Sequence, residues 1–461
     1  MQTRPGKYLL PLAIFLIIAP SISWAQTYSF QQCVETTLSQ NPAMAASGYR
    51  LQQAESALSE SNAQRMPKIT LTAQAVNSND SLNVFGMKLQ QREASFNDFG
   101  FNEFNPASPD PTTQPKDLNQ PDAYSNFNTS LEVLIPVWNG GKISSYQDQA
   151  KAMIQAAQHG DEAVKQVLTF NVYKAFEGVH TAKAFVKVAE QALKASKAYV
   201  NTTENLLKQG VVVKSELLSA QVNLSQSLTS YEAAKTQKLI AKDNLRSLMN
   251  LDPNVDFKVG ERQNISLPAD DLAELTSLST SNNPAIKATR EAVRSSTAAI
   301  AASKAANYPS FNLMVRGDTH DPSLGFGSIS YTVAGVVSWK LTDFGVTSSK
   351  VDRARALANE QKSTLRSKES QSRLEVLKSW RMLKVAETQF SSNKLAVRQA
   401  EEAQRLVLKR YKGGVATITE ILASQAQLDK ARADLVHTQY EINLQKAKLR
   451  LATGSMQYQQ L

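Results

Sequence analysis

The chain has 461 residues, 42% of them hydrophobic and 20% charged, with a formal charge of +10. That length admits two or three ordinary domains or one elongated repeat protein. A single cysteine, Cys33, excludes an intrachain disulfide framework and a thiolate metal cluster.

The first residues, MQTRPGKYLLPLAIFLIIAPSISWAQ, read as a signal peptide over 1–25. Arg4 and Lys7 supply the basic region and Tyr8 to Pro20 the apolar core; Ser23 and Ala25 form a small-residue cleavage site before Gln26. A membrane anchor is the alternative, but the apolar run is short for a span. No cysteine directly follows the cut, which argues against a lipidated N-terminus. An exported chain is therefore expected, and export argues against nucleic acid as partner of the positive charge. Lys and Arg instead often follow an acid by four residues, as in Glu369/Arg373 and Glu401/Arg405, which marks solvated helix faces. No later stretch approaches the apolar length of a transmembrane helix.

From 26 to 250 runs a first structural repeat. NPAMAAS opens a helical stretch over 41–65, ended near Pro67, which favours extended backbone before it. Alternating apolar and polar residues then predict strands at 69–76 (Ile69, Leu71, Ala73) and 127–137 (Phe127, Leu131, Val133, Ile135, Val137 on one face). The segment between them, 77–126, holds eight asparagines and five prolines and reads as a long loop. A long helical hairpin is expected over 142–249, turning at LKQGVVVKSELLSAQ (207–221).

Residues 251–282 read as a linker with a short helical piece near Asp271–Leu278. A second repeat, 283–454, begins with NPAIKAT and a helix to 306. Strands are expected at 311–317 and 329–340, joined by the short GDTHDPSLGFGS. The second hairpin, 346–452, turns at YKGGVATITEILASQ (411–425), and 455–461 forms a tail. Val346 to Lys412 contains no glycine or proline, enough for a rod of about 100 Å. Val376, Leu383, Phe390 and Val397 recur every seventh position, with Ala386, Ala400 and Val407 on the companion seam, implying left-handed coiling against a neighbour.

The halves are copies. Asn41 answers Asn283 at an offset of 242, and Gly141, Gly210, Glu216 and Gln221 answer Gly345, Gly414, Glu420 and Gln425 at 204. An internal duplication accounts for that order better than chance likeness between Ala-rich helices.

Four strands cannot close a membrane barrel, whose smallest forms have eight, and an open edge in lipid leaves backbone groups unpaired. Strands spanning a membrane must therefore be pooled, and a trimer would supply twelve. Trp138, Tyr308, Phe311, Tyr331 and Trp339 lie near strand ends, where interfacial aromatics sit; ordinary core is the alternative. The expected fold class is mainly α with a small β part: a long α-helical barrel plus a transmembrane β-barrel, four strands per protomer pooled in a homotrimer. A periplasmic adaptor or coiled-coil structural protein without a membrane barrel is the rival, against which the four strands argue. A general porin would need many more strands.

The order helix, NPA, strand pair, PVWNGGK, long helix, GVVVKSELLSAQ, repeated once, resembles the outer-membrane efflux (TolC-like) family over about 28–454. The resemblance implies a homotrimer in outer-membrane lipid, extending into the periplasm through a mixed equatorial region. Its implied partners are a periplasmic adaptor and an inner-membrane transporter, and it passes substrate without chemistry of its own. It also implies a periplasmic aperture at the hairpin turns of Gly210, Gly413 and Gly414, with Glu420 as a constriction residue, Glu216 behind it, and Tyr411 matching an aromatic gate residue. Ala423 replaces a second ring acid and Ala416 a gating arginine, so an arginine latch is not available there.

Glu420 has an alternative role, because Thr417 and Glu420 fit a capping box. Lys208, Lys214, Lys409 and Lys412 flank the turns as adaptor contacts or as solvated tip charges. His159, His180, His320 and His437 are isolated, so no metal site is expected. No phosphate loop, dinucleotide fingerprint or nucleophile elbow occurs, so no cofactor and no enzymatic activity are expected.

Overall fold

The computed structural model describes residues 26–460; the signal peptide expected at 1–25 lies outside them. The chain begins with strand β1 (Gln26–Tyr28) and helix α1 (Phe30–Gln40), the latter started by a capping box between Ser29 and Gln32. Helix α2 (Pro42–Ala63), strand β2 (Lys68–Ser78), helices α3 (Ser81–Gln91) and α4 (Lys116–Asn119) and strand β3 (Tyr124–Trp138) follow. Two helices of 67 and 35 residues, α5 (Lys142–Lys208) and α6 (Lys214–Leu248), form the first hairpin. Strand β4 (Phe257–Val259) and helix α7 (Leu272–Ser281) lie in the linker, and β4 pairs in parallel with β1. The second half contains α8 (Pro284–Lys304), β5 (Ser310–Asp321), β6 (Ser328–Ser338) and a hairpin of α9 (Val346–Lys412) and α10 (Ile418–Ala452), again 67 and 35 residues.

The reading of 77–126 as a plain loop needs correction. Asp80 caps α3 by accepting from the Asn83 amide, and Val84, Met87 and Gln91 are buried at helical spacing. Two 3₁₀ turns, Phe96–Phe99 and Phe101–Glu103, and α4 follow. Helices this short depend on tertiary packing rather than propensity, so a polar, asparagine-rich composition hides them.

The duplicated NPA segment has a structural reason. Asn41 accepts from the Ala43 amide and Asn283 from the Ala285 amide, each at 2.9 Å, while proline occupies the first helical turn, where no donor is missed. The side chains of Asn41 and Asn283 also donate through Nδ2 to the Leu248 and Ala452 carbonyls, both at 3.0 Å. Each asparagine thus joins the end of a returning helix to the start of a short one.

The helices form a row. At one level α2 packs on α5, α5 on α8 and α8 on α9; at the other α6 packs on α5, α5 on α10 and α10 on α9. The α9 heptad residues Val376, Leu383 and Ala386 are buried with Leu275, Ile442 and Leu449. Around the linker, Phe30, Cys33, Tyr173, Phe176, Leu245, Met249 and Phe257 make a second core.

The main sheet is antiparallel in the order β2-β3-β5-β6. Its register aligns Ile69, Val133, Val315 and Val333 across one row, and Leu71, Leu131, Gly317 and Tyr331 across another on the same face. Thr70, Glu132, Arg316 and Thr332 form the row between them, on the opposite face. The apolar face is bare in the protomer, with Tyr331 84% exposed. Strands β2 and β6 each keep one unpaired edge. Among the described residues no helix is long and apolar enough to cross a membrane.

Candidate functional site: the paired hairpin tips

Each hairpin turns through the same backbone device. The Gly210 and Val211 amides donate to the Leu207 and Leu206 carbonyls, and the Gly414 and Val415 amides to those of Tyr411 and Arg410. This is the Schellman closure, which puts one residue in the left-handed region. That residue is Gly210 at φ +73° and Gly414 at φ +72°. Gly413 sits at φ −86°, where any residue is accommodated, so the sequence's double glycine contains one turn glycine.

The helices that leave the turns begin differently. Thr417 caps α10 through a completed capping box: the Glu420 amide donates to Oγ1 and the Thr417 amide to Glu420 Oε1, both at 3.3 Å. The first copy has Val213 at the equivalent position and no side-chain cap. Glu216 is thereby free of capping and is half-buried against the other hairpin, where Oε2 accepts from the Tyr411 hydroxyl at 3.3 Å. Glu420 remains exposed, with Arg410 Nη1 at 3.5 Å, an ion pair too solvated to contribute much.

Tyr411 is fully buried, packed with Tyr199, Leu206, Ile418 and Ile421 between the two hairpins of one protomer. Its hydroxyl lies 2.8 Å from Thr203 Oγ1, which also donates to the Tyr199 carbonyl at 2.8 Å. Burial, and secondarily the Glu216 carboxylate, push the Tyr411 phenol above its ordinary value, so it stays a donor. A second relay lies one turn deeper: Gln404 Nε2 donates to the Tyr199 hydroxyl and Tyr199 to Gln425 Oε1, each at 2.5 Å. Gln425 Nε2 then donates to Asp429 at 2.9 Å, and burial raises the Asp429 carboxyl.

The structure therefore brings Tyr411 and Glu216 together and leaves Glu420 on the outside of its own hairpin. Lys208, Lys214, Lys409 and Lys412 are exposed around the turns, Ala416 packs at the core's rim and Ala423 is exposed. Sequence reasoning missed Thr203, Tyr199 and Gln404. Gln425 was visible as the repeat of Gln221, but its partner lies 226 positions away and no spacing reveals it. Among the described residues no group of three His, Cys, Asp or Glu side chains could hold a metal ion. The arrangement positions helices and offers no nucleophile–base pair.

Comparison with known proteins agrees with this architecture. The profile of the outer membrane efflux protein family matches residues 33–251 and 275–455. The probable efflux pump outer membrane protein TtgC of Pseudomonas putida KT2440 is 22% identical over 325 residues; the match covers 67% of this chain and 65% of that relative's length. The outer membrane protein VceC of Vibrio cholerae superposes with a TM-score of 0.75 at 17% identity, covering 92% of this chain and 96% of that one. The open state of the MtrE outer membrane channel of Neisseria gonorrhoeae gives 0.74 at 18% identity, covering 94% and 90%. With both halves of the duplication matched, the chain belongs to the outer membrane efflux protein family.

Proposed function

We propose that the protein is the outer-membrane exit duct of a tripartite efflux or type I secretion system. It works as a homotrimer whose protomers pool twelve strands and a wall of helices. The observation that carries this reading is a four-stranded sheet, apolar on one face and polar on the other, with both edges unpaired and a row of helices attached. Backbone edges are not tolerated in lipid, so such a sheet calls for closure by further copies. The names of its curated relatives, efflux pump outer membrane proteins, support the same reading.

The duct accepts substrate from an inner-membrane transporter through a periplasmic adaptor, with the hairpin tips at the periplasmic mouth. Tyr411 and Glu216 hold the two hairpins of a protomer together, and Glu420 lines the aperture. Lys208, Lys214, Lys409 and Lys412 present the tip to the adaptor. Carboxylate rings favour cations, so Glu420→Gln is expected to weaken cation preference. Reconstitution in a planar bilayer tests the whole: a detergent-extracted trimer from the outer-membrane fraction should conduct. A monomer in the soluble periplasmic fraction would overturn the reading.

A further inference from the structure

We infer that the wall of the duct contains a subsite for small amphipathic organic anions, at the level where α10 is succeeded by α8. Two cavities of about 540 and 700 Å³ adjoin there and share Ala163, Ala285 and Lys368. Volumes of that order suit a single small molecule. The larger is lined from four helices at once: Ala54 of α2, Gly160 of α5, Ala288 of α8 and Gln361 of α9. Those helices stand in one row, so a cavity touching all four lies on the concave side of the row. The inference rests on the exit-duct reading, because a closed cylinder is what makes the concave side its bore.

The chemistry of the lining selects the ligand. Phe170, Ile286 and Leu451 give the smaller cavity an apolar wall, and alanines and Gly160 leave room in the larger. Arg50, Lys368 and Lys448 face the pair of cavities against one carboxylate, Glu375. Lys368 is steadied by a hydrogen bond to Thr289 Oγ1 at 3.0 Å. Gln166, in the smaller cavity, is 3% exposed; its Nε2 donates to the Gly454 carbonyl at 2.8 Å, while its Oε1 has no partner. The fit is a flat or alicyclic body bearing a sulfonate or carboxylate for the lysines.

The test uses 6-hydroxynaphthalene-2-sulfonate as probe, with the full-length protein in phosphatidylcholine nanodiscs, so that added probe is the anionic amphiphile present. Calorimetric titration should show saturable binding, weakened about tenfold or more by Lys368→Gln with Lys448→Gln, a change of about 1.4 kcal/mol. Ala288→Phe, which fills the larger cavity and keeps both lysines, should weaken it as well. Equal binding by the double variant, or by a trimethylammonium analogue of the probe, overturns the subsite. Conductance of the unliganded protein is read in parallel. Normal conductance without selective anion binding overturns the subsite and leaves the duct reading standing; selective binding without conductance overturns the duct reading and with it the site's place in a bore.

Discussion

One hydroxyl hydrogen on Tyr411 is shared between Thr203 at 2.8 Å and Glu216 at 3.3 Å, so this polar contact between the hairpins contributes little free energy. A net hydrogen bond contributes about 1 kcal/mol, somewhat more to a charged acceptor. Tyr411→Phe keeps the packed ring and removes this contact, leaving the Gln404–Tyr199–Gln425 relay in place. It is expected to raise single-channel conductance, with Glu216→Gln in the same background adding little because the two act as one unit. Fully additive effects would show that they act separately. Glu177 sets a different residue-scale problem. It is 1% exposed, accepting from Asn443 at 2.9 Å and paired with Arg262 at 3.0 Å, yet Oε2 has no partner. Burial raises its carboxyl above the ordinary value, with Asn443 and Arg262 pulling the other way. A pKa raised on folding gives stability that is complete below the unfolded value and lost as pH rises through the folded one. Nearby His180 is lowered by burial and runs oppositely, losing stability as pH falls below its unfolded value. Subtracting variants isolates the first effect: the gain in melting temperature of Glu177→Gln over the parent should grow from about pH 5 to about pH 8. A gain that shrinks over that window would reverse the sign assigned to Glu177.

Elements show where sequence reading succeeds and where it stops. The 67-residue rods of α5 and α9 were legible because glycine and proline are scarce and the apolar period is sustained. Helix α3 was not, because eleven residues carry too little periodic signal, and the three-residue β1–β4 pair carries no alternation at all. At the tips, the repeat pairs Gly210 with Gly414 and sets Gln209 opposite Gly413, and the backbone gives the reason: of the two glycines only Gly414 has a positive φ. The distinction is testable. A side chain forced into the left-handed region costs roughly 1–2 kcal/mol, and at Gly414 an added Cβ would also lie 3.1 Å from Val211 Cγ1. Gly414→Ala should therefore lower the unfolding free energy by about 1 kcal/mol or more, whereas Gly413→Ala, at φ −86° with only ordinary contacts nearby, should change it by less than about 0.5 kcal/mol. Chemical denaturation of the two variants side by side decides between them.

The whole molecule is a row of helices joined to a sheet with two raw edges, the feature on which the proposed trimer rests. Composition concealed this, because the charge and modest hydropathy belong to the helices, and the membrane signal is confined to alternate residues of four strands. Alternation gave the two faces, but which strand adjoins which, and hence which residues share a row, came from the register. That register brings Ser130 opposite Asp318 on the polar face, and Leu131, its neighbour in β3, opposite Gly317 on the apolar one. The two positions stand at one depth and differ in the side they present. An arginine on the lipid face near mid-depth costs roughly 2–4 kcal/mol, falling toward the interfaces. Leu131→Arg should therefore cut the yield of heat-resistant, membrane-inserted protein severely. Ser130→Arg, on the polar face beside the Arg316–Asp318 pair, should insert normally and alter conductance instead. If both variants insert equally well, the apolar face does not meet lipid, and the sheet belongs to a soluble assembly.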